Sequence, residues 1–151
     1  MKLTTFTDYS LRVLVYLAAQ PGRRATISEV AGAYEVSENH LVKVVHFLGR
    51  QGWLRNVRGK GGGLELPLPP ERIVLGEVVR CTEGQGAVAE CLVATGGDCC
   101  IAPSCRLRDI LAEAVAAFDA VLDRYTLADL VGNASELARI LFVPRAARAA
   151  S

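Results

Sequence analysis

No stretch of the 151-residue chain approaches the ~18–20 uncharged apolar residues that a membrane span requires, so no membrane association is expected. The opening Met1-Lys2-Leu3-Thr4-Thr5-Phe6-Thr7-Asp8 lacks the apolar stretch of an export signal. Aromatics are scarce at 6%, so the 51% hydrophobic content is mostly aliphatic. A mean hydropathy of +0.27 without a membrane span points to apolar surface hidden in an oligomer. Charge of one sign is also lacking: the net value is +1, which by itself names no polyanionic partner. An even set of cysteines is absent too. Five are present (Cys81, Cys91, Cys99, Cys100 and Cys105), so a disulfide framework is not expected. A cytoplasmic protein with metal or redox chemistry is.

What is present is unevenly placed. Residues 1–75 hold ten Lys/Arg against six Asp/Glu, net +4, and the remainder holds seven against ten, net −3. From Asn39 to Leu64 there are five cations (Lys43, Arg50, Arg55, Arg58 and Lys60) and no acid. That is a local footprint for a polyanion, or else a solvated face.

Helical periodicity sets the order of elements. Thr7 is placed to cap a first helix, with Asp8 in its first turn and Leu11, Leu14, Val15 and Ala18 on one face. Thr26-Ile27-Ser28-Glu29 opens a short helix to about Tyr34. After a turn at Glu35-Val36, Ser37 caps a third helix to about Gln51, with Leu41, Val44, Val45 and Leu48 inward. Two short strands, Trp53–Val57 and Leu64–Leu66, flank a glycine-rich tip, Arg58-Gly59-Lys60-Gly61-Gly62-Gly63. A helix over Ile73–Glu83 puts Cys81 on a face where a buried structural thiol is expected. Residues 84–104 form a loop with three of the five cysteines, and Cys105 directly follows it. Cys105–Tyr125 is the strongest helix. Its Leu107, Ile110, Leu111, Ala114, Phe118, Val121, Leu122 and Tyr125 recur at spacings of three and four, which suits a dimer seam or packing on its own domain. Thr126-Leu127-Ala128-Asp129 caps a short last helix, and the Ala/Arg-rich tail after Val143 is expected to fray.

Helix, short turn, helix and basic hairpin is the winged helix-turn-helix order, in a mainly α fold. A helix entering the major groove needs polar and basic groups near its N-terminus. Ser37, Asn39, His40 and Lys43 supply them, with Asn39 and His40 suited to base edges and Lys43 to phosphate or guanine. Glycines let the wing backbone approach the sugar-phosphate wall, with Arg58 and Lys60 at its tip. A nucleotide-binding phosphate loop is excluded, because Gly61 follows Lys60 where that motif needs Ser or Thr. No acid/base pair marks an enzyme. A cluster-bearing electron carrier or small metalloenzyme is the contrasting class, and a sequence-specific gel shift separates it.

Cys91, Cys99 and Cys105 have the spacing C-x7-C-x5-C. Spacing alone leaves zinc, iron–sulfur and inert thiols open. Cys99 and Cys100 are adjacent, so both are not expected to face one site.

Several segments together are more specific: Leu3-Thr4, Phe6-Thr7-Asp8-Tyr9, His40-Leu41-Val42-Lys43-Val44-Val45, the glycine-rich tip, the three spaced cysteines, Cys105-Arg106-Leu107 and Tyr125-Thr126-Leu127-Ala128-Asp129-Leu130. On these the chain, over residues 1–142, resembles the winged-helix repressor superfamily that includes NsrR, IscR and RirA. Phe6–Tyr9 and Val42–His46 most resemble its nitric-oxide-sensing NsrR branch. The resemblance implies a homodimeric repressor on a pseudo-palindromic operator in double-stranded DNA. It also implies a 4Fe–4S cluster on Cys91, Cys99 and Cys105, with Asp8 of the other subunit as fourth ligand and nitric oxide as the signal. A 2Fe–2S cluster is a degraded or alternative form. Without the resemblance, Asp8 is simply an acid at a helix N-terminus. IscR places a histidine three residues after its last cysteine, where this chain has Arg108. RirA-like iron or cluster-supply sensing is the alternative, although RirA has asparagine in the place of Asp8. Cys100 is left without a role and blurs the assignment of Cys99. The expected layout is a DNA-binding domain over 1–83, a cluster loop over 84–104, a dimerisation helix and C-terminal cap over 105–142, and a tail over 143–151.

Overall fold

Thr4, not Thr7, opens the first helix. In the computed structural model, which describes residues 2–84, 92, 99–101 and 104–142, Thr4 is extended and its hydroxyl accepts from the Thr7 amide at 3.2 Å. Thr7 lies within the first turn of α1 (Thr5–Ala18), already helical and wholly buried, so it is not the cap. Most of the expected cysteine loop, and the tail after Val143, fall outside the described residues.

Thr26 and Glu29 form a reciprocal capping box that starts α2 (Ile27–Tyr34). Glu35 closes it in the left-handed region at φ 56°. Ser37 stands at the N-cap of α3 (Glu38–Arg50), but its side chain makes no capping bond. Leu41, Val44, Val45 and Leu48 are buried along one face of α3.

The hairpin strands are shorter than expected and shifted, β1 (Arg55–Val57) pairing antiparallel with β2 (Gly63–Glu65). Trp53 and Leu54 precede the ladder and are buried, with the Trp53 amide donating to the Leu48 carbonyl at 3.1 Å. After a 3-10 turn over Pro70–Arg72 comes α4 (Leu75–Glu83), which starts two residues late. Ile73 is already in the core, and Val74 bridges to Thr126 instead of joining the helix. On α4 the core takes Leu75, Gly76, Val78 and Val79, leaving Cys81 exposed rather than buried.

Cys105 is the N-cap of α5 (Arg106–Leu122), which ends before Tyr125. The expected single last helix is two, α6 (Leu127–Leu130) with the Thr126/Asp129 capping box, and α7 (Ala134–Leu141). Leu127 and Leu141 return to the same core as Leu14, Leu41, Leu48, Leu64 and Val78. Each such side chain contributes roughly 1.5–3 kcal/mol by leaving water. Helix α5 contributes none, since none of its described residues is buried.

Gly76 explains how α5 meets α4. A Cβ there would lie 1.9 Å from an Asp123 carboxylate oxygen, so a larger residue would make that half-exposed side chain turn aside from Arg80. Arg80 holds that carboxylate at 2.8 Å.

Candidate nucleic-acid interface and cysteine centre

Burying one stripe of α3 leaves Ser37, Asn39, His40 and Lys43 exposed near its N-terminal end. Val42 joins them at 51% exposure. Sequence reasoning passed over Val42, although it stands outside the Leu41–Val44–Val45–Leu48 stripe. Helix α1 holds α3 through Phe6 edge-on to Phe47, with ring centroids 5.2 Å apart, and Tyr9 beside His40 at 6.2 Å. A cavity of ≈ 330 Å³ lies between the helices, lined by Thr5, Phe6, Tyr9, His40, Lys43 and Val44.

The wing tip turns through Gly59 and Gly61, at φ 95° and 76°, with the Gly62 amide donating to the Gly59 carbonyl at 2.9 Å. A side chain at Gly62 would sit 2.2 Å from the Val57 carbonyl oxygen. Arg58 and Lys60 are exposed there. Below the tip, Glu65 accepts from Arg24 Nε at 2.7 Å and Arg55 Nε at 2.8 Å. The Arg24 and Arg55 hydrogen bonds hold its carboxyl below the usual carboxylate range.

Asp8 lies in the first turn of α1, half-exposed, with its carboxylate 2.9 Å from Arg12 Nε. Arg12 also stands 5.6 Å above the Tyr34 ring. Burial pushes the Tyr34 hydroxyl up to about 12, against the opposing pull of Arg12. Cys99 and Cys100 are exposed and Cys105 is half-buried, all three as free thiols. Cys91 lies outside the described residues. No three His, Cys, Asp or Glu side chains converge on a metal site among the described residues, so Asp8, Cys99 and Cys105 are not gathered within one chain. The donor chemistry nonetheless fits an iron–sulfur group, because soft thiols supply most of the candidate set.

One further contact escaped sequence reasoning. Glu83, the last residue of α4, accepts from the Thr4 amide at 2.8 Å and the Thr4 hydroxyl at 3.1 Å. Partial burial pushes the Glu83 carboxyl up, but hydrogen bonds from Thr7 and Thr4 outweigh it and hold it below the usual range. The partners are 79 residues apart, and no local pattern announces the pairing.

No helix of the described residues is long and apolar enough to cross a membrane. Residues 3–133 match the Rrf2 family, described as an iron-dependent transcriptional regulator. The chain is 49% identical over 142 residues to the HTH-type transcriptional regulator NsrR of Bacillus subtilis, covering 93% of this chain and 97% of that protein. It is 45% identical to the NsrR of Geobacillus kaustophilus, with the same coverages. Among solved structures it superposes on CymR, the global cysteine regulator of B. subtilis, with a TM-score of 0.72 at 28% identity, covering 88% of this chain and 98% of CymR. The T. potens IscR gives 0.71 at 25% identity, covering 91% and 90%.

Proposed function

The chain belongs to the Rrf2 family of winged-helix, DNA-binding transcriptional regulators and is not an enzyme, and on that premise we propose that it is a cytoplasmic, homodimeric repressor whose grip on a pseudo-palindromic operator depends on an iron–sulfur cluster and is released by nitric oxide. The observation that carries this reading is the position of Asp8. Its turn of α1 also bears Phe6 and Tyr9, which hold α3. A ligand bond to Asp8 is therefore one short rigid step from the DNA-reading helix.

In this reading Cys91, Cys99 and Cys105 of one copy and Asp8 of the other hold a 4Fe–4S cluster, with 2Fe–2S as a degraded or alternative form. When bound, the cluster would supply an iron open to nitric oxide, with the hard Asp8 carboxylate as its weakest-held ligand. Without that ligand bond Asp8 would pair with Arg12, as it does here at 2.9 Å, and α1, which holds α3 through Phe6 and Tyr9, would set where the recognition helices stand relative to successive major grooves. Asn39 and His40 meet base edges, Val42 a thymine methyl, and Ser37 and Lys43 phosphate or guanine. Arg58 and Lys60 enter the minor groove or meet phosphates. The second copy covers the exposed apolar face of α5, where Leu107 and Ile110 are 61% and 59% exposed.

A second reading takes iron or cluster supply as the signal, and the family's description as iron-dependent favours it. Protein purified without oxygen is titrated with nitric oxide while visible absorbance and binding to a duplex, selected by the protein from a random-sequence library, are followed together. The expected result is loss of both in parallel. Equal affinity before and after nitric oxide overturns the proposal. Release by iron chelation with indifference to nitric oxide establishes the second reading. An Asp8→Ala protein that keeps its cluster and its response removes Asp8 from the ligand set.

A further inference from the structure

The wing is too small to hold itself in place. Its strands are three residues each, and a lone two-stranded hairpin is marginal in water. Its tip is rich in glycine, which carries the largest conformational entropy to be lost on ordering. Something outside the hairpin must fix it, and the four residues Arg23–Thr26 between α1 and α2 are placed to do so. The Ala25 amide donates to the Leu64 carbonyl at 3.1 Å, and the Leu64 amide donates back at 2.7 Å, adding a bridge to β2. The approach is so close that a side chain at Gly63 would lie 2.9 Å from the Ala25 carbonyl oxygen. Arg24 Nε donates to Glu65 at 2.7 Å, and its Nη1 donates to the Gly61 carbonyl at the tip at 3.0 Å. On either side, Arg23 binds Glu29 and Gln20, both at 2.7 Å, and Thr26 caps α2.

We propose that Arg24 and Glu65 are positioning residues for DNA binding: a bracket that fixes the wing tip, with Arg58 and Lys60, relative to the helix-turn-helix. The inference rests on the reading of the wing as DNA-facing, and it reverses a simple expectation. Glu65 is an acid close to a run of five cations. If it acted only through charge, neutralising it would tighten binding to a polyanion. As part of the bracket it holds Arg24 and Arg55 together, and neutralising it loosens the tip.

The test uses the full chain, purified without oxygen, and a duplex selected by the unsubstituted protein from a random library. Affinity is read by fluorescence anisotropy across a salt series. Glu65→Gln and Arg24→Ala should each weaken binding about tenfold, the scale of removing one Arg or Lys from a nucleic-acid interface. The salt dependence should flatten by about 0.9 in log–log slope for each phosphate no longer neutralised. Hydrogen exchange should quicken at the Gly62 and Leu64 amides while α1 is unchanged. In an Arg58→Ala/Lys60→Ala background, Arg24→Ala should cost almost nothing further. Unchanged or tighter binding by Glu65→Gln overturns the bracket. So does a full additive loss for Arg24→Ala in the background lacking the tip cations, which would make Arg24 touch DNA directly. If Arg58→Ala/Lys60→Ala alone binds as the unsubstituted protein does, the DNA-facing wing fails first and takes the bracket with it.

Discussion

Leu48 on α3 and Ile110 on α5 are side chains of nearly equal size, each on the apolar face of an amphipathic helix. Leu48 is wholly buried and Ile110 is 59% exposed. The contrast extends to their surroundings. α1 to α4 close around one core, to which the chain returns through Leu127 and Leu141, whereas α5 buries none of its described residues. The same periodicity thus marks two destinations, a core within the chain and a face that the described residues leave uncovered.

Leu48→Ala should give the largest effect. It removes a buried side chain from packed surroundings and should lower unfolding free energy by about 2–5 kcal/mol, seen as a shifted urea midpoint with unchanged slope. Ile110→Glu should do the opposite kind of damage. Helical content should survive while self-association weakens by about 2–4 kcal/mol, read by sedimentation velocity across a concentration series. A monomer that unfolds, or a dimer that persists, would erase the distinction between the two helices.

A smaller effect separates the regions by pH. Glu65 is held below 4.5 by hydrogen bonds from Arg24 and Arg55, and Asp129 below 3.8 by the Thr126 amide and hydroxyl. A carboxyl with a depressed folded value stabilises fully above its unfolded value, and loses that contribution as pH falls through the folded one. Thermal midpoints should therefore fall below about pH 4.5, with Asp129→Asn removing part of the acid limb. A midpoint flat from pH 5 to pH 3 would show that neither contact supports the folded core.

The mainly α winged-helix order was legible because it is written in local signals. The α3 stripe, the Thr26/Glu29 and Thr126/Asp129 boxes and the glycine tip are each decided within a few residues. Local rules could not choose between Thr4 and Thr7 as the α1 cap, because the choice turns on which threonine the core buries. They misplaced Cys81 for a related reason. Leu75, Val78 and Val79 claim the inner face of α4, so position 81 turns outward with Glu77 and Arg80. Contacts that cross the chain, Thr4 with Glu83 and Arg24 with Glu65, have no local signature. The exposed set Ser37, Asn39, His40 and Lys43 followed from periodicity alone. Val42 did not, because an apolar residue off the stripe reads as noise until its exposure is seen.

The α4–α5 crossing has a mechanical consequence. Past the last turn of α5 the chain is pinned: Asp123 fits over Gly76 and pairs with Arg80, the Leu75 amide donates to the Tyr125 carbonyl at 2.9 Å, and the Leu127 amide donates to the Ile73 carbonyl at 2.8 Å. At the opposite end stands Cys105. Seventeen residues make an arm of about 25 Å, so a tilt of about 5° at the pinned end sweeps the sulfur end through about 2 Å. Sliding would break these two backbone hydrogen bonds and the Arg80 pairing, which leaves pivoting as the soft motion. α5 is in this sense a lever with its fulcrum at the Val74–Thr126 bridge.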